Sequence, residues 1–321
     1  MSATECISVN EYAGGVLAID SGFTRDRMAA CYLLEAEGAA AFVETGTNAS
    51  VPRLLEVLER RGWSRDDVQW VIVTHVHLDH AGGAGQLMAA LPRATLAVHP
   101  RGARHMIDPS RLEASVRQVY GDETYDREYG ALVPVPEQRV RAVEDGERLS
   151  LGHRELLFRD TPGHARHHFC VWDEATAGWF TGDTFGLSYR EFDTEDGAFI
   201  FPTTTPVQFD PEALARSIDL LLAAQPDCMY LTHYGRVRDV ERLASQLREG
   251  LDAFVDLAHR LQGDAERGPR LREAIEGWLL QELREHGVRL PDERVRELLS
   301  TDVELNAQGI EFWLDHGGGR R

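Results

Sequence analysis

One short stretch limits what this chain can fold into and do: Thr74-His75-Val76-His77-Leu78-Asp79-His80-Ala81-Gly82-Gly83. Trp70-Val71-Ile72-Val73 before it is apolar and β-branched and reads as a buried strand. Ala84-Gly85-Gln86-Leu87-Met88-Ala89-Ala90-Leu91 after it reads as a helix. Three imidazoles and a carboxylate therefore sit on the turn that leaves a strand's C-terminal end, where open α/β sheets place their ligands. His75 and His77 alternate with Val76 and Leu78, so an extended backbone points both rings the same way. A single histidine here would be read as a packed or surface residue. Together, neutral imidazoles and a carboxylate are the preferred ligands of zinc and its first-row neighbours.

The rest of the chain alternates strands with helices. Residues 16–20, 29–35 and 39–44 predict an antiparallel strand series. Ser50-Val51-Pro52 opens a helix to about Arg61, and residues 94–98 form another short strand. Residues 100–136 predict one or two inserted helices ended by Pro134 and Pro136, either a surface connection or an aromatic wall beside a pocket. Strands resume at 139–143, 155–160, 168–173 and 178–181, consistent with two sheets, each half of the domain contributing one. Asp210-Pro211-Glu212 starts a helix to about Ala224, and 228–232 is the last predicted strand, with His233 at its end. Beyond 237 only helical periodicity remains, over 240–261, 271–285 and 292–300, with Ile310–Leu314 closing the chain. The expected division is a catalytic domain over 1–238 and a helical region over 239–321. The latter covers its apolar stripes on the core or on a second subunit of a homodimer.

Composition narrows the function classes. A formal charge of −19, from 34 basic and 53 acidic residues, disfavours attraction to a phosphate backbone, so no nucleic-acid partner is expected. No apolar run approaches the roughly 20 residues that span a membrane. Cys6, Cys31, Cys170 and Cys228 are scattered without metal spacing and read as buried thiols of a reducing compartment. The N-terminus carries no secretory pattern, so a cytoplasmic location is expected.

His-x-His-x-Asp-His after a strand resembles the signature of the metallo-β-lactamase superfamily. Thr161-Pro162-Gly163-His164, Thr181-Gly182-Asp183-Thr184 and Leu231-Thr232-His233-Tyr234-Gly235 follow in that superfamily's order. Phe42-Val43-Glu44-Thr45-Gly46 resembles its strand-ending acidic-Thr-Gly element, with Glu44 where Asp is usual. The resemblance implies an αββα sandwich of two mixed β-sheets with the metal site along one edge. It implies that His75, His77 and His164 hold one divalent ion and that Asp79, His80 and His233 hold a second. Asp183 would bridge the two, and a metal-bound hydroxide would be the nucleophile. Zinc is the first choice; ligands that are all nitrogen or oxygen also suit iron or manganese.

The oxygen-reducing di-iron relatives resemble His-x-Glu-x-Asp at this point, so His77 favours hydrolysis over redox chemistry. The segment after Asp183 departs from the glyoxalase II type. The apolar, proline-stiffened loop at 199–206 suggests a pocket for an acyl-bearing lactone, thioester or aryl ester, with phosphoesters and phosphotriesters as promiscuous substrates. Tyr189 and Tyr234 are candidate hydrogen-bond donors to an oxyanion. His167 and His168 either orient ligands or pack within a strand. The alternative function is a ligand-sensing protein that keeps the fold and metals, and nucleic-acid processing is opposed by the charge.

Overall fold

A computed structural model describes residues 7–204 and 206–318; Cys6 and Thr205 lie outside the described residues. The chain divides into two compact units. The first comprises 1–160, 167–182 and 226–238; the second comprises 161–166, 183–225 and 239–321. This differs from a single cut at 238, because 161–166 and 183–225 group with the tail.

The first unit holds two mixed sheets. One runs in chain order: β1 (Val9–Tyr12), β2 (Val16–Asp20), β3 (Ala30–Ala36), β4 (Ala39–Val43), β5 (Val68–Val73), β6 (Thr95–Val98) and β7 (Val140–Ala142). The other comprises β8 (Arg148–Leu151), β9 (Arg154–Asp160), β10 (Phe169–Asp173), β11 (Gly178–Gly182), β12 (Cys228–Leu231) and β13 (Gly235–Val237), spatially reversed from β13 to β8. The strands β1, β8 and β13 were not expected from the sequence. The first sheet also takes β7 from beyond the helical insertion, so it is not the product of one half of the chain.

Pleat periodicity explains the layers. Along β2, Leu17 and Ile19 join one core while Val16 and Ala18 join another; along β5, Val71 and Val73 oppose Ile72 in the same way. The first core fills the space beneath α1 (Val51–Arg60) through Leu54, Val57 and Leu58. It also takes in Leu87 and Met88 of α3 (Ala84–Ala90), the helix after the four-residue α2 (Leu78–Ala81). The second core lies between the sheets and takes Phe158, Phe169, Phe180 and Tyr230 from the second sheet. Strand stretches buried on both faces read as continuous apolar runs, as Val71, Ile72 and Val73 do. Cys31, Cys170 and Cys228 are buried, and the Cys170 Sγ donates to the Thr181 carbonyl at 3.4 Å.

The insertion forms three helices, α4 (Pro100–Ile107), α5 (Ser110–Tyr120) and α6 (Asp122–Glu128). Tyr125 is buried beneath the Arg117 guanidinium, 4.0 Å above its ring. Tyr129 instead stacks on Phe23, with ring centroids 5.9 Å apart.

In the second unit, α7 (Pro211–Ala223) begins as the sequence indicates. The Asp210 carboxylate accepts from the Ala213 N–H at 2.9 Å, and Pro211 follows. Asp210→Ala is expected to cost about 1 kcal/mol, read as a lowered denaturation midpoint with an unchanged slope. Three long helices complete the unit: α8 (Val240–Leu261), α9 (Arg267–Glu285) and α10 (Asp292–Trp313). The stripe Leu243, Leu247, Leu251 and Phe254 is buried, as its spacing predicts. The segment 292–313 is one continuous helix rather than two pieces, with Asn306 at its interior bonded to the backbone and side chain of Thr204.

Among the described residues, no helix is long and apolar enough to cross a membrane.

Candidate metal centre

In the first unit the chain leaves β5 at Val73 and enters α2 at Leu78, placing His75 and His77 on an irregular bridge between them. Gly83 is required there: a Cβ on it would sit 2.6 Å from the Thr47 carbonyl oxygen. This close approach sets the β4 exit loop against the histidine motif. The Thr45 hydroxyl and N–H both donate to the His80 carbonyl.

The exit loop delivers Glu44, the residue that sequence reasoning noted but gave no role. Its φ of +66° lies in the left-handed region, which costs a non-glycine residue roughly 1–3 kcal/mol and persists only where surroundings enforce it. Glu44 is buried, and His80 Nδ1 lies 3.0 Å from its Oε1. Asp79, His80 and His233 each offer one ligand atom, and these atoms lie within 4.8 Å of one another.

The hydrogen positions implied by these contacts test whether a cation fits. His80 Nδ1–H donates to Glu44, and His233 Nδ1–H donates to the Met28 carbonyl at 2.7 Å. A neutral imidazole has one N–H, so each Nε2 then presents a lone pair. Those nitrogens face Asp79 Oδ2 at 3.4 Å and 3.3 Å. Lone pairs converging on a carboxylate oxygen repel unless positive charge lies among them. Burial pushes the Asp79 carboxyl up, and only positive charge or hydrogen-bond donation arriving from the His80 and His233 side holds it well below the usual range. The site favours positive charge, which a divalent cation supplies with the nitrogen and oxygen ligands zinc accepts.

His75 and His77 form the other half of the cluster, with Nε2 of the first 2.8 Å from Nδ1 of the second. His168 stacks on His75 at 4.8 Å, and His167 meets the His77 ring edge-on at 5.5 Å. Both therefore brace the pair by ring contact.

The second unit repeats the pattern by itself. His164 Nδ1 lies 3.4 Å from the Thr203 carbonyl, and its Nε2 faces Asp183 Oδ2 at 3.3 Å.

Three expectations need correcting. The Tyr189 hydroxyl is buried and bonded to both oxygens of Asp302 on α10, so it is spent on packing and cannot serve an oxyanion. Tyr234 belongs to the core between the sheets; burial pushes its phenol up, and it is not displayed to a substrate. Phe199, Ile200 and Phe201 are fully buried, with Phe201 paired to Leu187 through two backbone bonds, so they form core rather than a pocket wall.

The chain matches the metallo-beta-lactamase superfamily over residues 24–233. A metallo-beta-lactamase fold-containing protein of Sulfurisphaera tokodaii is 30% identical over 179 residues, which is 54% of this chain and 62% of that one. The chain thus spans less than two thirds of that relative. An N-acyl homoserine lactonase of Bacillus thuringiensis is 25% identical over 214 residues, 60% of this chain and 74% of that one. A metallo-beta-lactamase family protein of Thermus thermophilus shares the fold at TM-score 0.67 and 21% identity, over 95% of this chain and 94% of that one. The family match extends over well over half of the chain and spans every motif from His75 to His233, and on that ground the chain belongs to the metallo-beta-lactamase superfamily.

Proposed function

We propose that this protein is a metal-dependent hydrolase of ester-type bonds, with lactones, thioesters and aryl esters as its substrate class. The observation that carries the proposal is the commitment of Nδ1 in His80 and His233, which aims both Nε2 atoms at Asp79. The superfamily pattern extends this set to two ions: His75, His77 and His164 for one, Asp79, His80 and His233 for the other, and Asp183 shared. Zinc fits these ligands first. When bound, such ions lower the pKa of water toward neutrality and polarise a carbonyl oxygen. The chain's own residues then have two tasks. The histidines hold fixed tautomers through Glu44 and Met28, and Asp79 offers the carboxylate that their Nε2 atoms face.

The likeness to an N-acyl homoserine lactonase supports an acyl-bearing lactone within that class. A neutral or weakly charged acyl substrate also suits a chain of charge −19 better than a polyphosphate does. Phe23 and Tyr129 are the side chains we assign to the apolar part of the substrate. Phe23 stands on the 21–29 loop whose Met28 carbonyl holds His233, and Tyr129 stacks on it. Phe23→Ala is expected to raise KM roughly 10-fold for a long-chain acyl substrate, with kcat little changed, since one apolar contact is worth that order.

The test is a panel of lactones, thioesters, aryl esters and phosphotriesters, run with metal analysis, chelation and metal return. Turnover of a carbonyl ester that is lost on chelation and restored by zinc supports the proposal. A metal-loaded protein that turns over nothing on the panel would favour a ligand-sensing role.

A further inference from the structure

The Glu44 carboxylate accepts hydrogen bonds that lead to both halves of the histidine cluster. Its Oε1 accepts from the Thr74 hydroxyl, from His80 Nδ1 at 3.0 Å and from the Thr232 hydroxyl at 3.2 Å, and its Oε2 accepts from the Thr74 N–H at 3.2 Å. Thr74 has one hydroxyl proton. With that proton on Glu44, its Oγ1 accepts from His75 Nδ1, which lies 3.1 Å away. His75 is therefore an Nδ1–H tautomer through Thr74, and His80 is an Nδ1–H tautomer directly.

We infer that Glu44 is a positioning residue that sets the tautomers of His75 and His80 together, and so prepares one ligand nitrogen in each of two adjacent metal subsites. The inference rests on the proposal that these histidines hold metal. Neutral imidazole side chains in water favour the Nε2–H form, so two neighbouring Nδ1–H histidines need an acceptor that holds them there. The geometry supplies one acceptor for both. His75 Nε2 is left toward His77 Nδ1, and His80 Nε2 is left toward Asp79. Thr232 ties the same carboxylate to the residue preceding His233. The left-handed backbone at Glu44 is the means by which the chain aims its carboxylate into this position.

The experiment uses two substitutions with different reach. Glu44→Gln removes the shared acceptor, whereas Thr74→Val cuts only the branch to His75 and keeps the side-chain shape. Metal-free protein labelled with ¹⁵N-histidine is examined at mildly alkaline pH by two-bond ¹H–¹⁵N correlation, which reads the protonated ring nitrogen of each histidine. Zinc affinity is measured separately by competition with a chromophoric chelator. In the parent protein, His75 and His80 are expected to carry Nδ1–H. Thr74→Val is expected to release His75 alone and to weaken one of two zinc ions by about 10-fold. Glu44→Gln is expected to release both rings and weaken both ions by roughly 10- to 100-fold. Nε2–H on either ring in the parent, or unchanged tautomers in Thr74→Val, would overturn the inference, and the second arm stands even if Glu44→Gln fails to fold. Tautomers that follow Glu44 in a protein that takes up no zinc would overturn the metal assignment instead, so the two failures are separable.

Discussion

His80→Ala is expected to release one metal ion and to lower turnover by at least ~10²-fold, the scale on which removing an electrostatic partner of the reacting group acts. Three losses coincide. The Nε2 ligand facing Asp79 disappears, Glu44 loses one of its hydrogen-bond donors, and a buried hollow opens beside His75, whose ring lies 4.0 Å away. Elemental analysis of the purified variant should therefore show about one ion fewer per chain than the parent, and its kcat on the best ester of the panel should fall in step. A fall in kcat with full metal content would mean that His80 acts on the substrate instead. Unchanged kcat with unchanged metal content would remove the two-ion centre altogether.

The histidine positions were legible in the sequence because metal ligation demands particular atoms at short spacing. A strand followed by His-x-His-x-Asp-His leaves few other uses for those side chains. The fully buried strand stretches were legible for a related reason, since continuous β-branched runs such as Val71, Ile72 and Val73 have no other stable home. What stayed hidden depends on partners far along the chain. Arg148–Leu151 alternates exposed and buried residues over only four positions, too short a pattern to separate from a loop. Tyr189 reads as a free phenol until α10 brings Asp302 to it, 113 residues away in sequence. Phe199, Ile200 and Phe201 have the composition of either a pocket wall or a core, and only their burial and the pairing of Phe201 with Leu187 decide for core. Glu44 is the clearest case. Its place at a strand end was visible, but its bonds to Thr74, His80 and Thr232 join segments up to 188 residues apart.

Asp173→Ala should separate stability from chemistry within the first unit. Arg154 donates to both Asp173 oxygens, at 2.7 Å and 2.6 Å, and to the carbonyls of Gly14 and Glu35 at 2.8 Å and 3.3 Å. Arg154 and Asp173 belong to the second sheet, whereas Glu35 lies on β3 of the first and Gly14 on the turn between its β1 and β2, so this buried ion pair ties the sheets together. Removing the carboxylate strands a guanidinium that is only 4% exposed, and breaking such a pair costs about 3–5 kcal/mol. At this chain size that corresponds to a fall in Tm of roughly 10 °C. The pair sits at the far end of β10 from the histidines. Phe169, at the other end, donates its N–H to the Thr74 carbonyl, and the strand between spans about 3.3 Å per residue. Metal content and kcat measured well below the new Tm should therefore match the parent. Replacing both partners, Arg154→Met with Asp173→Leu, should recover much of the lost stability, because no charge is then left buried alone. A loss under ~1 kcal/mol for Asp173→Ala would mean that water reaches Arg154, as at an exposed pair. A loss of metal would mean instead that the strand transmits the damage along its length to Thr74.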